Sequence, residues 1–439
     1  MSLFAPITEK AGLRLQKWPL FSAGLAILLV AAVFAWGMVA TAFSLALFLA
    51  PLWLPVLVLG AAWTLWVNWR RSEFLAKQDY VLLEIKPPRS VERTPLAMET
   101  VIDGLHLDPG ESNWYAIYVK GATRPLWSLE LASLGGQVHF YIRARTSFRR
   151  QVETQVYAQY PGAQVVEAPD YTRMVHAPSA EWEVFGCDYK HTNKDPYPIR
   201  TYVEFGLDKP QKEPEQTDPL ANLIEFLGSL GPHEQLWIQM VLRVHKGEKY
   251  EESGHTWRDE ANQIIEKIRK DTRSPYNDPN TGKEMPGFPN PTKGQSEAMA
   301  AIERNIAKQA FDVGIRAIYL GEHGHFNGAT IPGMKGLFKQ VSSNTLNGIT
   351  WTGGKGLLGF NDYPWEFSTE KMKEELREEI VDAYRRRQCF YPPHAREDYM
   401  VMSSEELATI FHIPSRAVET PSLERIPSAT SEAPGNLPV

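Results

Sequence analysis

No charged side chain interrupts the chain between Lys17 and Arg70, and almost every position in that stretch is apolar. A bilayer core takes about 20 apolar residues per helix, so the stretch holds two crossings. They are placed at 19–40 and 46–67, and the short 41–45 connection, with Ser44, closes a transmembrane helical hairpin. A secretory leader has an apolar core of only about 7–15 residues, far less than is present. Trp18, Trp66 and Trp69 stand where interfacial aromatics belong. Lys10, Arg14 and Lys17 precede the hairpin, and Arg70, Arg71 and Lys77 follow it. Positive charge at both ends places residues 1–17 and everything after Arg70 in the cytoplasm.

From Tyr80 the pattern changes to short β-runs separated by helical ones. "YVLLEIKPP" reads as a strand ended by prolines. "TPLAMETVIDGLHL" is a helix with Thr94 as N-cap and Pro95 at its first position, with Leu96, Met98, Val101, Ile102 and Leu105 forming its apolar face. "LWSLELASLGGQVHFYIRA" is two strands joined at Gly135-Gly136, a hairpin signal. "SFRRQVETQVYAQYP" is helical, with Phe148, Val152 and Val156 four apart, and "AQVVEAPDY" is a last strand. The order β-α-β-β-α-β over 80–170 predicts a ferredoxin-like, split βαβ unit.

Residues 180–390 predict a second α/β domain. Strand "IRTYVEFGL", helix "DPLANLIEFLGSL" and strand "EQLWIQMVLRVH" lead to a helical, loop-rich insertion at about 253–292. Helix "KGQSEAMAAIERNIAKQAF" and strand "DVGIRAIYLGE" follow, which makes a decorated copy of the first plan with one strand unaccounted for. Residues 321–368 read as irregular, 369–387 as a charged helix, and 391–439 as a short capped helix with a Pro/Ser-rich linker. The expected class is α+β: a two-helix transmembrane hairpin, then one or two ferredoxin-like units with a helical insertion.

Composition adds exclusions. The 439 residues carry a formal net charge of -6, so no global positive field advertises nucleic acid. Cys187 and Cys389 are too few for a metal cluster and predict ordinary thiols. "TWTGGKGLLGF" lacks the Ser or Thr that a phosphate loop needs after Lys355. His323 and His325 sit two apart with no partner at zinc spacing, and Asp278, Asn280 and Glu284 lack the ligand spacing of a calcium loop. No nucleophile elbow or carboxylate pair emerges. The chain is expected to be no enzyme and to hold no cofactor. Two basic clusters are candidate phosphate or lipid contacts: Arg143, Arg145, Arg149 and Arg150, and Arg385, Arg386 and Arg387.

Several stretches together resemble one family: "YVLLEIKPPRSVERTPLAMETVIDGLH", "GGQVHFYIRARTSFRRQVETQVYAQYP", "EQLWIQMVLR", "AIERNIAKQAFDVGIRAIYL" and "SSEELATIFHIP…TPSLERI…APGNLP". They look like the membrane-anchored, non-motor half of bacterial type IV secretion, conjugative DNA-transfer ATPases of the coupling-protein class, as found in candidate-phyla bacteria. The resemblance implies the bacterial inner membrane, with both termini and the main domains on the cytoplasmic side. It implies a motor ATPase as partner, on a separate chain or in a domain that would begin near Val439, and a homo-oligomeric ring. Glu405, Leu407, Phe411 and Pro414 are then candidates for the tether to that motor. Membrane lipid is the other expected partner, and DNA contact is left open. The alternative is a membrane scaffold unrelated to DNA transfer, and a third reading gives His323 and His325 a metal.

Overall fold

The computed structural model describes residues 24, 28, 30, 36–88, 93–208, 218–253, 256–273, 276–277, 284–285, 287–352 and 369–414. The chain divides into two units, Met1–Trp69 and Arg70–Val439.

The described part of the first unit is apolar helix. Helix α1 covers Trp36–Phe48, and α2 covers Ala50–Ala76, beginning here and continuing into the second unit. Residues 41–45 are helical, contrary to their reading as a connection. The Thr41 hydroxyl donates to the Gly37 carbonyl at 3.0 Å and the Ser44 hydroxyl to that of Ala40 at 2.8 Å. Each is satisfied one turn back, so neither needs a loop. The break falls at Leu49, and Pro51, which lacks an N–H, sits in the first turn of α2, where none is needed. Among the described residues α2 is the one helix long and apolar enough to cross a membrane; only 6% of its apolar window is buried. Most of the first predicted span, and Trp18, lie outside the described residues.

The second unit is α+β, built on a large antiparallel sheet. Its first half contains β1 (Tyr80–Lys86), α3 (Pro95–Asp103), β2 (Trp127–Leu134), β3 (Gln137–Arg145), α4 (Arg149–Gln159) and β4 (Gln164–Glu167). These strands lie in the order β4-β1-β3-β2. Gly135 and Gly136 turn the β2–β3 hairpin at φ +60° and +85°, angles open to glycine at no steric cost. A Cβ on Gly136 would stand 2.7 Å from the Leu230 carbonyl.

The second half contains β5 (Trp182–His191), α5 (Ala221–Gly228), β6 (Glu234–Val244), α6 (Trp257–Asp271), the two-residue strands β7 (Tyr276–Asn277) and β8 (Glu284–Met285), α7 (Lys293–Ile306), β9 (Ala310–Glu322), α8 (Thr330–Lys335) and β10 (Ile349–Trp351). Four of them continue the sheet as β6-β9-β5-β10, the mirror order of the first half. The halves join where β2 pairs β6 antiparallel, from Trp127 opposite Leu242 to Leu134 opposite Gln235. After α9 (Thr369–Arg386), strand β11 (Met400–Ser403) adds to the end of β9, and α10 (Ser404–Ile410) closes the described chain.

One prediction here is corrected. Residues 199–207 form turns, and the strand of this half is β5. The backbone N–H groups of Ile199 and Tyr202 donate to the Glu406 carboxylate and the Thr409 hydroxyl, both at 3.0 Å. With these two donors taken by side chains of α10 and others by turn carbonyls and Val341, the segment has no ladder to join. The strand unaccounted for in the sequence is β10.

Alternation along the strands sends side chains to opposite faces. One face, with Leu83, Leu129, Ile142 and Met240, packs against α3, α4, α5 and α10. The other, with Tyr141, Trp237 and Ile318, packs against Val381 and Tyr384 of α9. Helices α6 and α7 bury Ile264, Ile265 and Ile302 between them.

On β9 the sheet admits no side chain at Gly314, where a Cβ would stand 2.0 Å from the Cys389 sulfur. Gly314→Ala is therefore expected to cost about 1–3 kcal/mol through overpacking. Adding Cys389→Ala recovers most of that loss. Chemical denaturation of the two single variants and the double variant measures the coupling; additive costs would contradict the contact.

Candidate functional site

One arginine of the first basic cluster meets all three of the second, far apart in sequence. Arg143 on β3 and Arg385–Arg387 at the end of α9 line one cleft of about 850 Å³, with Arg173 beside them. The carboxylates of Asp79, Glu167, Asp170 and Asp382 line it too, and Ser72, Leu75 and Ala76 at the end of α2 form one wall. Five guanidiniums face four carboxylates, so the net field is only weakly positive.

The arginines do different things. Arg387 is buried at φ +52°, with Nε 2.9 Å from Glu130 Oε1 and Nη1 2.7 Å from Asp170 Oδ2. Glu130 is wholly buried and also accepts from the hydroxyls of Ser128 at 2.6 Å and Tyr171 at 2.7 Å. Burial alone would raise its pKa, but the Arg387 charge and these donors outweigh burial and hold the carboxyl below its ordinary value. Asp170 is held low in the same way by Arg387. Arg387 is thus a structural cation, and its reading as a phosphate contact is corrected: its donors are consumed by two acids and the Arg385 carbonyl.

Arg385 donates to the carbonyls of Thr172 at 3.1 Å and Val175 at 2.7 Å, and Arg386 pairs with Asp382 at 2.8 Å. The Arg143 guanidinium carbon lies over the Tyr80 ring, 3.8 Å from its centroid, and the side chain makes no ion pair among the described residues. Burial, with the Arg387 charge adding to it, pushes its pKa down to about 10. A desolvated guanidinium without a carboxylate, presented to a cleft, is the position best suited to take a small anion.

The rest of the first cluster is elsewhere. Arg145 is buried, its Nη2 donates to the Thr123 carbonyl and hydroxyl and the Arg124 carbonyl at 3.0–3.1 Å, and it does not line the cleft. Arg149 is paired with Glu153 at 2.8 Å and Glu167 at 2.5 Å, and Arg150 is exposed outside the cleft.

The tether reading fails on burial. Glu405, Leu407, Phe411 and Pro414 are all buried. Glu405 accepts from the Thr201 hydroxyl at 2.6 Å and Arg304 at 3.1 Å, while Leu407 and Phe411 lie in the main core. These side chains hold α10 inside the fold and present nothing to a partner.

Of the interface residues, Trp66 and Trp69 stack edge to face on α2 at 5.4 Å and are 44% and 56% exposed. Arg70 donates through Nε to the Val119 carbonyl at 2.6 Å and pairs with Glu73; the Arg71 guanidinium lies 5.5 Å from the Tyr391 ring.

His323 lies 3.7 Å from Glu183, whereas His325 stacks on His233 at 4.4 Å, and His233 bonds Glu322 at 2.7 Å. Among the described residues no group of three His, Cys, Asp or Glu could hold a metal. Burial pushes the thiols up, Cys187 to about 12 and Cys389 to about 11. Lys355, Asp278 and Asn280 lie outside the described residues, and Glu284 is in β8.

The family model for Domain of unknown function (DUF8128) matches residues 66–425, most of the chain. The chain belongs to that family. Its match takes in the whole sheet, the cleft and α10, so the family unit is the body rather than the apolar helices before it. No curated protein matches the chain.

Sequence reasoning missed Glu130, Asp170 and Tyr80. For Glu130 a signal existed, the lone acid in the apolar run "WSLELASL". A buried charge in a central strand demands a partner.

Removing that partner should be severe. Arg387→Met leaves Glu130 buried and uncompensated, at an expected cost of about 3–5 kcal/mol, and Glu130→Gln combined with it costs less than the sum. The depressed carboxyls stabilise the fold above the unfolded value of 4.5 for Glu130, and that stability is lost as pH falls through the folded value. Denaturation from pH 7 to pH 3 should show this decline in the parent and a shallower one in Glu130→Gln; equal slopes would remove Glu130 from the account.

Proposed function

We propose that the chain is a membrane-anchored, non-catalytic platform of a type IV secretion or conjugation-like machine in the bacterial inner membrane. The observation that carries the anchor is α2, apolar and unburied along its window and then continuing, past Arg70, into the family body. Together with the uncharged residues before it, α2 makes the two-helix hairpin, with the positive residues on either side keeping both termini and the body in the cytoplasm.

The body reads as two ferredoxin-like units fused edge to edge, supported by the shared orders β4-β1-β3-β2 and β10-β5-β9-β6. Such a sheet, covered on both faces, offers a rigid support rather than a moving part. The motor ATPase works beside it on another chain or domain, held near by attachment to the same membrane, which raises its local concentration without a tight interface. Copies of the platform form a ring. Arg143 in its cleft suits the phosphate of a lipid headgroup, while DNA contact has no support from the weakly charged cleft.

Affinity capture of the full-length chain from detergent extract, followed by mass spectrometry, tests this. The expected result is recovery of a phosphate-loop motor ATPase together with secretion-pore components. Recovery of envelope or division proteins without a motor would replace the secretion reading with the scaffold reading.

A further inference from the structure

Residues 111–124 form a loop that leaves the body and returns to it, tied at its base and clamped at one side. At the base, Arg124 Nε lies 2.8 Å from Glu111 Oε2, with the arginine buried. Inside the loop, Asn113 accepts from the Ala116 N–H at 2.9 Å, and a single π-helical turn, Tyr115–Val119, closes with Lys120 N–H donating to the Tyr115 carbonyl at 3.1 Å. The clamp is Arg70, whose guanidinium donates to the Val119 carbonyl. Gly121 fits the chain against the same residue. Its φ is +68°, and a Cβ there would stand 2.3 Å from the Arg70 carbonyl carbon and oxygen.

This loop carries the sequence "WYAIYVK", in which Trp114 and Tyr115 are exposed and residues 116–119 are half-buried. Trp114 is 62% exposed and Tyr115 54% exposed, and the Lys120 ammonium lies 5.6 Å from the Tyr115 ring centroid. Two adjacent exposed aromatics on one loop tip mark an interaction surface. The partner follows from continuity: Arg70 immediately succeeds Trp69, where the apolar run ends. Trp, Tyr and a lysine whose stem can lie along apolar surface are the residues of the lipid headgroup layer.

We propose that Trp114, Tyr115 and Lys120, on the loop that Arg70 clamps, form a second membrane contact seated in the lipid headgroup layer. The inference rests on the membrane reading above.

The test uses the full-length chain in vesicles of equal parts phosphatidylcholine and phosphatidylglycerol. A bimane label is placed on Trp114→Cys, on Tyr115→Cys in parallel, and on Ser296→Cys of α7 for comparison, the two native thiols being buried. Lipids carrying a nitroxide near the headgroup serve as quencher. The labels at 114 and 115 should lose most of their emission, while the label at 296 keeps its own. Equal quenching at all three sites, in chains that resist alkaline carbonate extraction, would overturn the second contact while leaving the membrane anchor standing. Extraction of the chain by carbonate would overturn both.

Discussion

A single buried carboxylate sits where the two halves of the sheet meet. Glu130 lies in the middle of β2, directly opposite Gln239 of β6, on the seam that joins them. Arg387, at the end of α9, reaches it from the covering layer, and Gln239 donates both to Glu130 at 3.3 Å and to the Tyr384 carbonyl at 3.0 Å. An isolated charge at such a place would cost several kcal/mol, so the seam and the covering helix hold in place only together. Asp170 extends the same network to the segment that follows β4, and Tyr171 bonds Tyr384 at 2.8 Å. One ion network thus ties four parts of the chain.

The surface features follow from that frame. Because α9 is fixed by Arg387, its last turn brings Arg385 and Arg386 to the cleft already lined by Arg143. Because Arg124 is buried against Glu111, the loop between them is held out as a unit and Arg70 can dock on it. A second carboxylate network, with Glu405 bonded to Thr201 and Arg304, fixes α10 within the core. Buried charges therefore set which side chains the body exposes.

What the sequence made legible was local. The Gly135-Gly136 hairpin, the strand of residues 80–86, the helix begun by Pro95 and the first half's order of elements all follow from short-range signals and are present. So is the short capped helix near the end, α10, which Ser403 caps by accepting from the Glu406 N–H. What failed was long-range. Residues 199–207 alternate like a strand, but α10 takes their donors from two hundred residues away. Strand β10 is three residues long, too short for any periodicity. Glu405 looked like a surface acid because a capped helix before a linker is usually exposed, and nothing local announces the Arg304 and Thr201 that bury it. The convergence of Arg143 with Arg385 depends on the sheet order and cannot be read from spacing.

The functional account stands or falls on where the body lies relative to a membrane. Cys187 is buried and cannot report it, but an exposed position such as Ser296 on α7 can. With Ser296→Cys in the full-length chain, a membrane-impermeant maleimide should label inside-out vesicles and spare right-side-out ones. Labelling of right-side-out vesicles, or recovery of the labelled chain in the soluble fraction, would contradict the account.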